Sequence, residues 1–305
     1  MLLRVLLKLG TIILTVIALI FFVALLIEMG QGGGLESLPS ALPEAGNFAV
    51  EYLKNLAHGD MGAMASPYGS VAGTPVTVEL VRALPKSVGL LAISTGLAII
   101  AGLCLGMAAA LQRRTPLSGF VLFLSTLGIS TPSYFAAMLL IWFGVWLFEA
   151  TGTHWFPIGG FGWDAHIILP ALVLAARPAA AVTRLAYNAL IETMDADYVR
   201  TAHSKGLAPR SVLVDHVLRN AGVPILTTIV VSLRFSLAVL PIVEFIFSWP
   251  GIGLALLTAI QVGDTVGTVG MISALALLFV VVNAFLGFLY PLLDPRLKTV
   301  TAGVQ

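Results

Sequence analysis

Charged side chains are scarce in this sequence. Asp, Glu, Lys and Arg make up 10% of its 305 residues, whereas 58% are hydrophobic. Soluble domains usually carry charge on about a quarter of their residues. The composition therefore excludes an ordinary soluble domain and indicates an integral membrane protein. The net charge of +1 is no evidence for a nucleic-acid partner, and we expect none, because the position of each charge relative to the bilayer matters more here.

Sequence motifs for disulfide, nucleotide and metal chemistry are also missing. The single cysteine, Cys104, can form no intrachain disulfide. The two lysines that precede Ser or Thr, Lys86 and Lys298, follow proline and leucine rather than the glycine of a P-loop. Neither a Cys/His cluster nor an HExxH pattern occurs. We expect no metal site and no cofactor on this chain, so a second polypeptide would have to bind any ATP that drives it.

Long apolar segments dominate what is present. The first, Leu9–Ile27, follows two basic residues and is long enough to cross about 30 Å of hydrocarbon. The pattern predicts an all-α, polytopic membrane helical bundle with six transmembrane helices, at Leu9–Ile27, Ser87–Gln112, Thr115–Phe148 and about 165–184, 223–247 and 266–292. The third segment is too long for one straight span, and Pro132 predicts a kink in it.

The connections divide the chain into three parts. Residues 1–75 are expected to hold the first span and a water-exposed loop from Glu28 to Thr74, which is rich in Gly, Pro and Ser. Residues 76–298 are expected to form a core of five spans, preceded by a short amphipathic helix at Val76–Pro85. A loop from Ser248 to Gly267 is expected between the last two spans, and residues 299–305 form a tail.

The basic residues are distributed unevenly about these six spans. Five of the sixteen lie on the far side or inside spans, and eleven lie on the side of the amino terminus: Arg4, Lys8, Arg113, Arg114, Arg184, Arg200, Lys205, Arg210, Arg219, Arg296 and Lys298. The positive-inside rule then predicts that both termini are cytoplasmic.

Ionisable residues inside spans are functional candidates, because charge is costly in hydrocarbon. Arg177, Arg234 and Glu244 qualify, and they either line a translocation pathway or pair between spans for structural reasons. Ser130 and Pro132, at the expected kink, are further pathway candidates. Ser130 also follows a glycine at the spacing of an intramembrane serine protease, but the downstream histidines, His154 and His166, fall near the outer surface.

Small residues at Gly102-x-x-x-Gly106 would let another helix approach the second span closely. Packing within the bundle is favoured over a dimer seam.

A polar stretch from Leu190 to Pro224 interrupts the apolar sequence. It predicts a short helix at Asp197–Ser204, capped by Asp195 or Asp197 and stopped by Gly206 in the left-handed conformation. A turn at Leu207–Pro209 and a second helical run from Arg210 to Asn220 follow. A structured element of this length in water indicates a docking surface rather than a plain connector.

Five motifs spread along the chain carry a family resemblance. They are ISTPSYF at Ile129–Phe135, FPIGG at Phe156–Gly160, DYVRTAHSKGL followed by HVLRNAGVP in the polar stretch, VEFIFSWPGIG at Val243–Gly253 and LLDPR at Leu292–Arg296. Together they closely resemble the oligopeptide/dipeptide/nickel permease family of ABC importers, over about residues 59 to 298.

This resemblance implies a type I importer fold in a bacterial or archaeal plasma membrane. It implies a second, homologous permease, two ABC ATPase subunits that bind ATP and Mg²⁺, an extracytoplasmic substrate-binding protein, and membrane lipid around the chain. The short cytoplasmic helix would be the coupling helix that sits in a groove of the ATPase. The matching positions are Asp197, Tyr198, Arg200, Thr201, Ala202, Lys205, Gly206 and Leu207.

The expected function is therefore that of a permease subunit, not an enzyme, for peptides or similar small solutes. An ion-coupled secondary transporter is the alternative, and an intramembrane serine protease is a more distant one.

Overall fold

The computed structural model describes the backbone of residues 2–65 and 73–293. Within these ranges the chain is almost entirely helical. The helices are α1 (Leu2–Gly32), α2 (Leu38–Ala57), α3 (Val76–Leu111), α4 (Pro116–Ser130), α5 (Ser133–Thr151), α6 (Ile168–Met194), α7 (Asp197–Ser204), α8 (Pro209–Ser211), α9 (Arg219–Ile246), α10 (Ile252–Gln261) and α11 (Thr265–Leu293). Two short strands, β1 (Ala63–Met64) and β2 (Thr74–Pro75), pair antiparallel, with Ala63 opposite Pro75. The predicted tail, residues 299–305, and the part of the LLDPR motif beyond Leu293 lie outside the described residues.

Among the described residues, four helical segments are long and apolar enough to cross a membrane: Val76–Leu111, Ser133–Thr151, Ala165–Met194 and Thr265–Ala284. A fifth candidate is the pair Leu14–Gly30 and Gly34–Ala57, which is bent by 117° at the break between its two helices. The polytopic helical fold is thus confirmed, whereas the count of six spans stays a prediction.

One compact unit consists of Met1–Ser87 and Trp249–Val280. In it, Ile20 of α1, Tyr52 of α2 and Val269 of α11 share a buried apolar cluster. The tryptophan of the SWPGIG sequence before α10 belongs to the same unit. The indole of Trp249 is fully buried, and its Nε1–H donates to the Lys86 carbonyl at 3.2 Å.

The second unit consists of Val88–Ser248 and the chain from Val281 onward. Close helix contacts hold it together. An added Cβ at Gly102 would lie 2.7 Å from Val182 Cβ, and one at Gly106 would lie 2.7 Å from Ala186 Cβ. The predicted small-residue contact therefore packs α3 against α6 inside the bundle, as favoured from the sequence.

The segment predicted as a loop between Glu28 and Thr74 contains α2, so that expectation was wrong. The chain turns sharply between α1 and α2 where Gly33 and Gly34 adopt positive φ angles of 102° and 85°. Helix α2 then buries one narrow face, made mostly of alanines: Ala41, Ala45, Ala49 and Tyr52. Alanine differs little in hydrophobicity from the residues around it, so the buried face hardly stands out in the sequence. The prolines in this stretch are also typical of a loop. The periodicity was therefore easy to miss.

Three other boundaries differ from the sequence predictions. The separate amphipathic helix at Val76–Pro85 is the beginning of α3, which continues through Pro85, and Glu79 on it is buried rather than facing water. The loop expected from Ser248 to Gly267 contains the ten-residue helix α10. The helix that contains the predicted fifth span, α9, starts at Arg219, before the predicted beginning of that span.

Pro132 breaks the helix rather than kinking it. Thr131 and Pro132 both have extended backbone, with ψ angles of 123° and 139°, and they separate α4 from α5. The Thr131 hydroxyl donates to the Leu127 carbonyl at 2.7 Å. The Leu127 carbonyl also accepts the N–H of Thr131 at 2.9 Å, so this hydroxyl adds a second bond to a carbonyl that already has its helical partner.

Candidate functional site

Helix α7 spans Asp197–Ser204, the bounds expected from the sequence. It ends where Gly206 adopts the left-handed conformation with φ 74°. The N–H of Leu207 then reaches back to the Ala202 carbonyl at 3.4 Å, the longer-range of the two bonds of a Schellman stop. A Cβ at Gly206 would meet nothing within 4 Å, so steric contact with other residues is not the reason for a glycine here. The reason is the positive φ, which glycine adopts readily.

The start of α7 differs from the prediction in one respect. The carbonyl of Ala196 accepts from the N–H groups of Val199 and Arg200, which places the cap position at Ala196. Asp197 instead lies in the first helical turn, where a carboxylate interacts favourably with the helix dipole.

The inner face of α7 is apolar and buried. Val199 and Ala202 are 2% and 5% exposed and belong to one core cluster with Ala186 and Leu190 of α6 and Val217 beyond α8. Ala202, one of the eight coupling candidates, is therefore a packing residue. It holds α7 against the other helices of the second unit.

The outer face of α7 and its turn holds the other seven candidates. All are exposed: Asp197, Tyr198, Arg200, Thr201, Lys205, Gly206 and Leu207. The Arg200 and Asp197 side chains lie 3.7 Å apart but remain 74% and 97% exposed. An ion pair this open contributes little to stability, so both groups are available to a partner. The structure thus gathers these residues on one mixed-charge surface, which we call the α7 surface.

Sequence reasoning missed an ion pair beside this surface. Arg113, just after α3, donates from Nη1 to both carboxylate oxygens of Asp195, at 3.0 and 2.9 Å. This pair joins the end of α3 to the connection between α6 and α7. The only sequence signal was that both residues were placed on the same side of the membrane.

Beyond α7 the chain continues through Pro209–Ser211 and a π-helical stretch, Val212–Leu218, directly into α9. The second helical run was expected, but not that it would be continuous with the predicted fifth span. No break in the helical backbone therefore separates Pro209 from α9.

The three ionisable candidates inside the spans have different surroundings. The guanidinium carbon of Arg177, on α6, lies 4.0 Å from the ring centroid of Phe235 on α9, within cation–π range. Arg234 is exposed, and Glu244 is completely buried. Arg234 and Glu244 are ten residues apart on one helix, about 15 Å, and so do not pair directly.

Ser130 and Pro132 are exposed at the break between α4 and α5. Within the described part of the chain, neither histidine is hydrogen-bonded to Ser130. The His154 ring stacks on Phe148, with ring centroids 3.8 Å apart. The Nδ1 of His166 contacts Asp164 at 2.6 Å, and this hydrogen bond lowers the pKa of the Asp164 carboxyl. Among the described contacts, His154 and His166 therefore do not form with Ser130 the Ser–His pair that nucleophilic catalysis needs.

Comparisons with known proteins agree with this architecture. Residues 102–299 match the family described as binding-protein-dependent transport system inner membrane component. A putative peptide transport system permease protein of Brucella abortus (strain 2308) is 34% identical over 258 residues, covering 81% of this chain and 78% of that protein. The oligopeptide transport system permease protein AppB of Bacillus subtilis is 31% identical over 262 residues, covering 82% and 80%.

A solved structure shows the same fold. The MetNI methionine ABC transporter in an inward-facing conformation matches with a TM-score of 0.59 at 16% identity, over 72% of this chain and 97% of that chain. The fold is that of a type I ABC importer permease. This chain therefore belongs to the binding-protein-dependent transport system inner membrane components, the permease subunits of ABC importers whose ATP is hydrolysed by separate subunits.

Proposed function

We propose that this chain is the permease subunit of an ATP-driven peptide importer and that the α7 surface is its contact with an ATPase subunit. The observation that carries this proposal is the division of α7 into two faces. Val199 and Ala202 fix its inner face to the bundle, whereas seven matching positions stay exposed outside it. Peptide is the solute class named for the relatives in Brucella and Bacillus.

The chain would work in the plasma membrane, with α7 and both termini in the cytoplasm. A second permease would complete the pathway, two ATPase subunits would bind ATP and Mg²⁺, and an extracytoplasmic protein would deliver the peptide. Closure of the ATPases would displace α7. The continuous helix from Pro209 into α9 would carry that displacement into the spans and switch them between inward-open and outward-open states.

Gly206 offers a sharp test, because its role depends on backbone conformation. The variant Gly206→Val places a β-branched side chain at a positive φ and should distort the turn, at a cost of about 1–3 kcal/mol. Gly206→Asp tolerates this conformation better but adds a negative charge to the α7 surface. Gly206→Asn is the matched control, because it tolerates the conformation and adds no charge.

The measurement is ATP-dependent peptide uptake by the complete importer in proteoliposomes, with ATP hydrolysis followed in parallel. We expect G206V and G206D each to lower uptake per ATP hydrolysed by tenfold or more, about the effect of 1.4 kcal/mol. G206N should remain near the wild type. Normal uptake by both G206V and G206D would refute the docking role, and uptake without ATPase subunits would favour a secondary transporter.

A further inference from the structure

Two arginines lie at about the same level of helices α6 and α9 in the second unit, within the spans predicted from the sequence. Arg234 stands near the middle of α9, and the next residue, Phe235, holds the Arg177 guanidinium of α6 against its ring at 4.0 Å. The Ser236 hydroxyl also contacts the Leu174 carbonyl at 3.4 Å, so the two helices meet at this level. Since consecutive helical residues rise about 1.5 Å, the two arginines belong to the same layer of the membrane.

Three ion pairs of this unit lie outside the predicted spans. They join Arg113 to Asp195, Arg200 to Asp197 and His166 to Asp164. Glu244 is about 15 Å further along α9 and is completely buried. Two like charges at one level of a membrane require water or an anion for compensation. The carboxylate of a transported solute is one such anion.

The side of α9 that carries Arg234 faces away from the bundle. Ser232 and Ser236, two residues before and after it, are 8% and 2% exposed. A step of two residues turns a helix by about 200°, so Arg234 points to the opposite side. Val231 and Ile242 share that side and are 56% and 45% exposed. A guanidinium on this outward stripe is poorly suited to lipid and well suited to a water-filled pathway.

We infer that Arg234, supported by Arg177, recognises the carboxylate of the transported solute in the translocation pathway. A guanidinium matches a carboxylate with two parallel hydrogen bonds, and every peptide with a free C-terminus carries that group. The cation–π contact with Phe235 would keep Arg177 in the same layer as a second, more distant positive charge. This inference rests on the proposed function and adds a solute class to it: peptides whose carboxyl end is free.

The test compares uptake of trialanine with uptake of trialanine amide by the complete importer in proteoliposomes. The ratio of the two rates is measured for the wild type, Arg234→Ala, Arg234→Lys and the control Arg184→Ala, which removes an exposed arginine of α6. The same binding protein is used throughout, so its own preference cancels when ratios are compared between variants.

We expect R234A to lower the acid-to-amide ratio about tenfold, as for the loss of one charge-assisted contact. R234K should fall between R234A and the wild type, because it keeps the charge without the two-pronged geometry. R184A should leave the ratio unchanged.

Three results would overturn the inference. An R234A ratio within twofold of the wild type would show that Arg234 does not read the carboxylate. Loss of the partner subunits on purification of both R234A and R234K would show that Arg234 instead pairs with an acid of the second permease. Absence of ATP-dependent uptake of either peptide by the wild type would refute the proposed function itself, and this inference with it.

Discussion

Two buried hydroxyls on α3 illustrate how much a single side chain depends on its partner. Ser87 accepts a hydrogen bond at 2.8 Å from the N–H of Ile252, the first residue of α10. That N–H has no acceptor within its own helix, as at any helix start. Ser94 is equally buried, but its hydroxyl donates to the Leu91 carbonyl of the same helix at 3.0 Å.

We therefore expect Ser87→Ala to destabilise the protein by about 1–3 kcal/mol, because it leaves a buried N–H unsatisfied. Ser94→Ala is the matched control and should cost less than about 1 kcal/mol, since the carbonyl it bonds keeps its helical partner. Thermal unfolding of the purified importer in detergent would compare them. Equal melting temperatures for the two variants would contradict a capping role for Ser87.

At the scale of elements, close contact between α3 and α6 depends on glycines. A Cβ at Gly102 would lie 2.7 Å from Val182 Cβ and 2.9 Å from the Ala179 carbonyl oxygen. Gly96, on the same helix, has open space around the equivalent position.

Gly102→Ala should therefore destabilise the bundle by about 1–3 kcal/mol through overpacking. Gly96→Ala should stabilise it by about 0.5–1 kcal/mol, because alanine costs less conformational entropy in a helix. The measurement is again the midpoint of thermal unfolding in detergent. Shifts of the same sign in both variants would argue against a tight α3–α6 contact.

The contact of α7 with its buried neighbours can also be tested at the scale of elements. Ala202→Leu adds three carbons beneath the helix and should displace it from its neighbours in the buried cluster, at about 1–3 kcal/mol. Thr201→Leu, which places the same side chain on the exposed face, should leave the fold intact. If α7 transmits motion as a fixed element, peptide uptake per ATP hydrolysed falls in A202L even though every exposed residue is unchanged. Normal peptide uptake per ATP hydrolysed in A202L would mean that transport does not depend on the packing of α7 against its neighbours.

At the scale of the whole molecule, the orientation in the membrane is open to direct measurement. The chain has one cysteine, so Cys104→Ala provides a background without thiols. Ser204→Cys reports on α7 and Thr153→Cys on the connection after α5, and both positions are exposed. A membrane-impermeant maleimide should label Ser204→Cys only in inside-out vesicles and Thr153→Cys only in right-side-out vesicles. The reverse pattern would place α7 outside the cell and rule out contact with an ATPase.

Local signals were enough for the parts of the site that depend on nearby residues. Helix α7 and its stop at Gly206 could be predicted because dipole-favoured acids, helical spacing and a left-handed glycine act within a few residues. The membrane class and the family followed from composition and ordered motifs. By contrast, α2 and α10 were missed. The first is lined by alanines and the second is a short apolar helix, and neither pattern separates a helix from a loop.

Composition and short-range pattern alone determined that this protein lies in a membrane, carries no nucleotide motif of its own and exposes a polar helix to water. Only the tertiary structure decided which side of that helix is free, because Ala202 and Thr201 are neighbours in the chain yet one is buried and the other exposed. It alone paired Arg113 with Asp195 across 82 residues and Ser87 with Ile252 across 165. Such contacts arise when packed helices bring distant residues together, and no local property of the chain encodes them.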